Sequence, residues 1–173
     1  MNPLRLAINT LFLFGLFIVQ ESVVSRIRLP LAGFSLYLAV LLAMISLEER
    51  TGAVVLGFIG GLVLDLSPTS NAPFGQWALI LTVVGYLISA NRDSVAEFIE
   101  GHIGFGIFIG IAASGALAAY LLFGTLLGES NGNFWRACII IFGNFLYTVI
   151  FSPFFIPPLN WLRDQMLTSR ERA

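Results

Sequence analysis

The sequence predicts an all-α integral membrane protein, a bundle of six transmembrane helices, and three observations carry that reading. Of 173 residues, 57% are hydrophobic and only 11% are charged, with a mean hydropathy of +0.89. A water-facing exterior needs more polar residues than that, so the solvent is expected to be a bilayer. The apolar residues gather into six runs whose short connections leave no room for a soluble domain. Finally, the basic residues, all arginine, lie asymmetrically at the ends of the runs. With a cytoplasmic N-terminus, Arg5, Arg50, Arg92, Arg163, Arg170 and Arg172 fall inside, and Arg26, Arg28 and Arg136 outside. That excess predicts that both termini are cytoplasmic.

The first run, Leu4–Val19, follows Arg5 closely but leads to Gln20-Glu21 with no small-residue cleavage site, so it reads as a retained span. The second run is Leu29–Leu47. The third, Gly52–Leu66, has only about 22 Å of helical rise, less than the roughly 30 Å of a bilayer core. Its end is expected to be sheltered by protein, or its start to extend back through Glu48-Glu49-Arg50. The fourth run is Phe74–Ala90, and the fifth, Ile103–Leu127, is long enough to tilt. The sixth, Trp135–Pro157, ends in SPFFIPPL, whose three prolines are expected to break the helix. Residues 1–160 thus form the bundle, and residues 161–173 a short cytoplasmic interfacial tail with Trp161 at headgroup depth. Glu48-Glu49-Arg50, and Arg92-Asp93 with Glu97 and Glu100, read as solvated cytoplasmic turns.

Several functions are disfavoured at once. A net charge of −1 gives no basic field for nucleic acid. The single cysteine, Cys138, allows no intrachain disulfide. His102 is the one histidine, with no second ligand near it, so neither a metal nor another cofactor is expected. The string AASGA around Ser114 invites a serine-protease reading, but His102 lies twelve residues earlier on the same helix, about 18 Å away, too far to act as its base. No phosphate-binding loop and no paired catalytic carboxylates are found, and the chain is not expected to be an enzyme.

What stands out is Asp65, a carboxylate inside an apolar stretch. Steps of four back from it give Gly61, Gly57 and Ala53, all on one helical face. Small residues at that spacing allow a second helix to come close. Asp65 therefore lies on the packed face, where an intramembrane acid is tolerable. A structural pin between the third and fourth spans is favoured over an ion or substrate ligand. Its candidate partners are Ser67, Thr69 and Asn71, the N-terminal amides of the fourth span beyond Pro73, and Arg136. Arg136 has two alternatives, pairing with Glu129 or snorkelling to the interface. On the fifth span His102, Gly106, Gly110, Ser114 and Ala118 share a face. On the sixth, Arg136, Asn144, Thr148 and Ser152 form a polar ladder of the kind that more often joins helices than binds a ligand.

The string formed by Gly57 to Gly61, Leu64-Asp65-Leu66, Pro73-Phe74-Gly75 and Val84-Gly85-Tyr86-Leu87, in a short chain with six spans, resembles the rod shape-determining MreD family. The motif covers about thirty residues; size and span count agree along the whole chain, and the first two spans carry nothing diagnostic. The resemblance implies a non-catalytic multi-pass protein of the bacterial cytoplasmic membrane, acting in the cell-elongation machinery that builds peptidoglycan. It implies an MreC-like bitopic partner, with MreB, a peptidoglycan glycosyltransferase and a transpeptidase in the wider assembly. It also implies a fold similar to the substrate-binding subunit of energy-coupling-factor vitamin transporters, and such a subunit is the rival reading. Against the rival, the loop GESNGNFW offers few ligand groups, and Leu11 four residues beyond Ala7 breaks any small-residue patch on the first span. Self-association is left open.

Overall fold

The computed structural model describes residues 3–22, 34–67, 73–99, 102–128 and 134–166. Among them the chain is all-helical, with no strand: α1 (Pro3–Ser22), α2 (Leu36–Leu47), α3 (Arg50–Asp65), α4 (Gln76–Ala90), α5 (Arg92–Ile99), α6 (His102–Leu126) and α7 (Phe134–Met166). Each of the six apolar runs contains a helix, that of the second run starting only at Leu36. Two stretches, Ile103–Leu126 and Phe134–Pro157, are long and apolar enough to cross a membrane. Only 33% of each one's apolar window is buried within the chain. Their outward faces carry Ile107, Ile111, Leu122, Phe142 and Ile150, all exposed.

At the centre lies α2. Every residue from Tyr37 to Ser46 is buried, as expected of a helix that is apolar all round. Its 12 residues rise only about 18 Å. Gln20 of α1 and the N-cap residue Ser35 hold its start: the Gln20 Oε1 accepts from the Leu36 and Tyr37 amides (2.9 and 3.4 Å), and Ser35 Oγ accepts from Leu38 N (3.2 Å). These are the orphan donors that any helix N-terminus must satisfy. Tyr37 then donates its hydroxyl to the Gly60 carbonyl of α3 (3.0 Å), and a Cβ on Gly60 would lie 2.5 Å from a Leu41 methyl. A hydroxyl bond and a close approach thus lock α2 to α3.

Three expectations require correction. The prolines do not break the last helix: α7 continues through Pro153, Pro157 and Pro158 to Met166. Pro153 removes the N–H that would have bonded the Val149 carbonyl. The Ser152 hydroxyl donates to that same carbonyl at 2.8 Å, and its replacement of the lost bond lets the helix continue. The segment after Arg92 is a helix, α5, with Val95 buried, rather than a turn. Finally, Glu48 is 91% buried and caps α2 through its amide to the Ile45 carbonyl, while Arg50 opens α3 and donates to the Tyr86 hydroxyl (3.0 Å) over the Tyr86 ring. Glu48 is therefore not solvated, whereas Glu49 and Arg50 are exposed, as expected of a turn.

Candidate functional site

The α3–α4 hairpin brings together most of the residues singled out in the sequence. Along α3, Ala53, Gly57, Gly61 and Asp65 all face α4. A Cβ on Gly57 would collide with the Leu81 carbonyl group, approaching its carbon to 2.9 Å. One on Gly61 would lie 2.6 Å from both the Ala78 nitrogen and the Trp77 carbonyl oxygen. From the other side, a Cβ on Gly85 would come within 2.7 Å of the Ala53 carbonyl oxygen. The contacts pair 53 with 85, 57 with 81 and 61 with 78, an antiparallel register in which backbone meets backbone. Larger side chains at the three glycines would push the helices apart.

Asp65 closes the end of that interface. Its Oδ1 accepts from the Trp77 amide and its Oδ2 from the Ala78 amide, each at 3.0 Å. Pro73-Phe74-Gly75 makes the turn into α4, with Gln76 N donating to the Pro73 carbonyl (3.3 Å). Gly75 is the N-cap residue at φ 98°, a left-handed conformation that glycine adopts without a Cβ clash. It has no side chain with which to cap the helix. Asp65 supplies that cap from the neighbouring helix, reaching the second and third amides that an N-cap Asp would reach. The carboxylate also sits at the positive end of the α4 dipole. Among the described residues these amides, not Arg136, are its partners; Arg136 is exposed in the first turn of α7. The Ser67 hydroxyl, another expected partner, instead donates to Glu21 of α1 (2.8 Å). Thr69, Asn71 and Glu129 lie outside the described residues. Phe74 is 68% exposed beside the junction.

The sequence reading overlooked a further part of this junction. Gln76 is buried in the first turn of α4 and donates Nε2 to the Tyr120 carbonyl of α6 (2.8 Å). Trp77 stacks on the Tyr120 ring with centroids 4.3 Å apart and planes at 12°. One turn of α4 is thus held by α3 through Asp65 and by α6 through Gln76 and Trp77. The available signal was a lone Gln inside an apolar run, the same kind of signal that drew attention to Asp65.

The fifth-span and sixth-span faces also meet. A Cβ on Gly106 would lie 2.8 Å from Ser152 Cβ, and one on Gly110 would lie 3.0 Å from Phe145 and Val149 side-chain carbons. Ser114 donates to the Ile141 carbonyl (3.2 Å). Asn144 and Thr148 are buried on α7, 1% and 0% exposed. Between α4 and α6 runs an apolar groove of about 430 Å³, lined by Leu79, Val83, Leu87, Phe108, Ile111 and Gly115 among others.

Chemically, the Asp65 junction is an anchor. Both carboxylate oxygens are engaged by backbone amides, and no group of three or more His, Cys, Asp or Glu that could hold a metal occurs among the described residues. Comparison with protein families, with curated proteins and with solved structures finds no match for this chain.

Proposed function

We propose that this chain is a multi-pass component of the bacterial cell-elongation machinery, of the MreD kind, with six membrane spans and both termini in the cytoplasm. In this role it binds an MreC-like bitopic protein and helps to position peptidoglycan synthesis, with no chemistry of its own. The observation that carries the reading is the hairpin. The residues behind the resemblance, Gly57, Gly61, Asp65, Pro73-Phe74-Gly75 and Gly85, form one continuous interface that fixes two helices and their turn. An acid consumed by capping suits a scaffold better than a transport site. The apolar α4–α6 groove supports the reading further, because it is a surface on which another single apolar helix can pack. In this reading α1, α2, α3 and α4 also count as spans; the starts of α2 and α4 are capped from neighbouring helices, by Gln20 and Asp65.

The test is gentle purification of the tagged protein from its native host, with mass spectrometry of what accompanies it. Recovery of an MreC-like bitopic protein with wall-synthesis enzymes is the expected result. Recovery of paired ATPases with a coupling subunit, or of a bound vitamin, overturns it in favour of a transporter subunit. Asp65→Leu is expected to lower expression or partner recovery. Wild-type levels of both would remove Asp65 from the partner-supporting role.

A further inference from the structure

Asp65 has every acceptor in use, whereas Asn144 and Thr148 have none of their polar side-chain atoms in use. The Asn144 amide nitrogen, its carbonyl oxygen and the Thr148 hydroxyl are all buried and, among the described residues, without a hydrogen-bond partner. The geometry at Thr148 is unusual for this chain. The helix hydroxyls of Thr10, Ser46, Thr82 and Ser152 all donate to a carbonyl three or four residues earlier. Thr148 does not, so its hydroxyl is not turned onto its own helix. Asn144 and Thr148 lie four residues apart on one face, with Cβ atoms about 5–6 Å apart as on any helix surface. A single hydrogen-bonding molecule can bridge side chains at that spacing.

The surroundings decide what that molecule is. The helices packed on α7 are α6 and α2. Residues 36–47 of α2 contain no ionisable side chain other than Tyr37, whose hydroxyl is given to Gly60, and α6 has none beyond His102 at its first position except Tyr120. A cation or anion there would have no opposite charge among the described residues of these helices, and burying an unpaired ion is far costlier than burying a neutral group. The burial of both side chains leaves no route for a large ligand. We propose that Asn144 and Thr148 form a neutral internal site that binds water between α7 and its neighbours. The water accepts from Asn144 Nδ2, or donates to its Oδ1, and bonds the Thr148 hydroxyl. Internal waters characteristically satisfy two to four such groups. The inference is independent of the cell-elongation reading.

The test uses the full-length protein in detergent or nanodiscs, with Thr148→Val and Asn144→Leu. The sign is informative, because removing a hydroxyl that bridges to water destabilises, whereas removing an orphaned one is neutral or stabilising. Thr148→Val is expected to lower the unfolding midpoint by about 3 °C. The double variant should fall no further than the worse single, since both lose one shared bridge. An experimental structure near 2 Å resolution should show a water within hydrogen-bond distance of both side chains. An unchanged or raised midpoint for Thr148→Val, or side chains bonded directly to protein carbonyls with no water between them, overturns the proposal.

Discussion

The α3–α4 and α6–α7 hairpins are both antiparallel apolar pairs with glycines at the seam, yet they are built differently. In α3–α4 the glycines meet backbone: Gly57 the Leu81 carbonyl, Gly61 the Trp77 carbonyl and Ala78 amide, and Gly85 the Ala53 carbonyl. In α6–α7 they meet side chains: Gly106 meets Ser152, and Gly110 meets Phe145 and Val149. A side chain can change rotamer to make room; a backbone carbonyl can move only with its helix. The carboxylate of the first hairpin differs likewise from the polar pair of the second. Both oxygens of Asp65 are held by amides of α4, whereas among the described residues three polar atoms of Asn144 and Thr148 on α7, and Gln76 Oε1 on α4, are buried without a hydrogen-bond partner. The seam of the first hairpin is therefore the less tolerant of an added side chain.

The sharpest way to break that comparison is Gly61→Ala. The added methyl cannot be accommodated without moving α4, which also carries the Trp77 and Ala78 amides away from Asp65. A loss of about 3 kcal/mol is expected in chemical unfolding. A double-variant cycle with Asp65→Leu should be strongly non-additive, because both changes disrupt the same turn of α4.

Asp65→Leu alone comes next, at about 2 kcal/mol, since it leaves two helix N-terminal amides without an acceptor. Asp65→Asn should recover part of the loss, because its carbonyl oxygen still caps one amide. If Asn and Leu are equally damaging, the charge matters more than the cap.

A smaller effect of about 1 kcal/mol is expected for Ser152→Ala, which uncovers the Val149 carbonyl freed by Pro153. Restoring a normal backbone donor with Pro153→Ala in the same chain should cancel that loss. If it does not, Ser152 acts through its contact with Gly106 instead. Smallest is Gly115→Ala on α6, where an added methyl meets nothing within 4 Å. The variant should be neutral or more stable by up to about 1 kcal/mol, the helix-propensity difference alone. A clear loss of stability would show that the α4–α6 groove is occupied in the purified protein.

How far the site was legible in the sequence varies with the kind of signal. The step-of-four pattern through Ala53, Gly57, Gly61 and Asp65 identified the packed face of α3, because helical periodicity is a local property. The anchoring of Asp65 by the start of α4 was also within reach, since the two are joined by a short turn. Gln76 was missed, because its partner Tyr120 is 44 residues away and no local pattern links them. The Glu21–Ser67 bond, 46 residues apart, was hidden for the same reason. The reading of SPFFIPPL failed instructively. Proline's local preference was applied correctly, but Ser152 one residue earlier could cover the freed carbonyl, and the cost of opening a helix in apolar surroundings outweighed the preference.

The sequence by itself determined the six apolar helices, their order, the apolar character of their faces and the small-residue stripes on which they meet, but not α5 or the length of α7. These follow from composition and from periodicity along one chain segment. Only the tertiary structure decided which stripe meets backbone and which meets side chain, where Asp65 takes its two hydrogen bonds, and that α2 is enclosed on every side. It also decided that the polar ladder of α7 divides into a satisfied Ser152 and an unsatisfied Asn144–Thr148 pair. Hydrogen bonds act over about 3 Å, and that proximity is set by how helices far apart in sequence pack together.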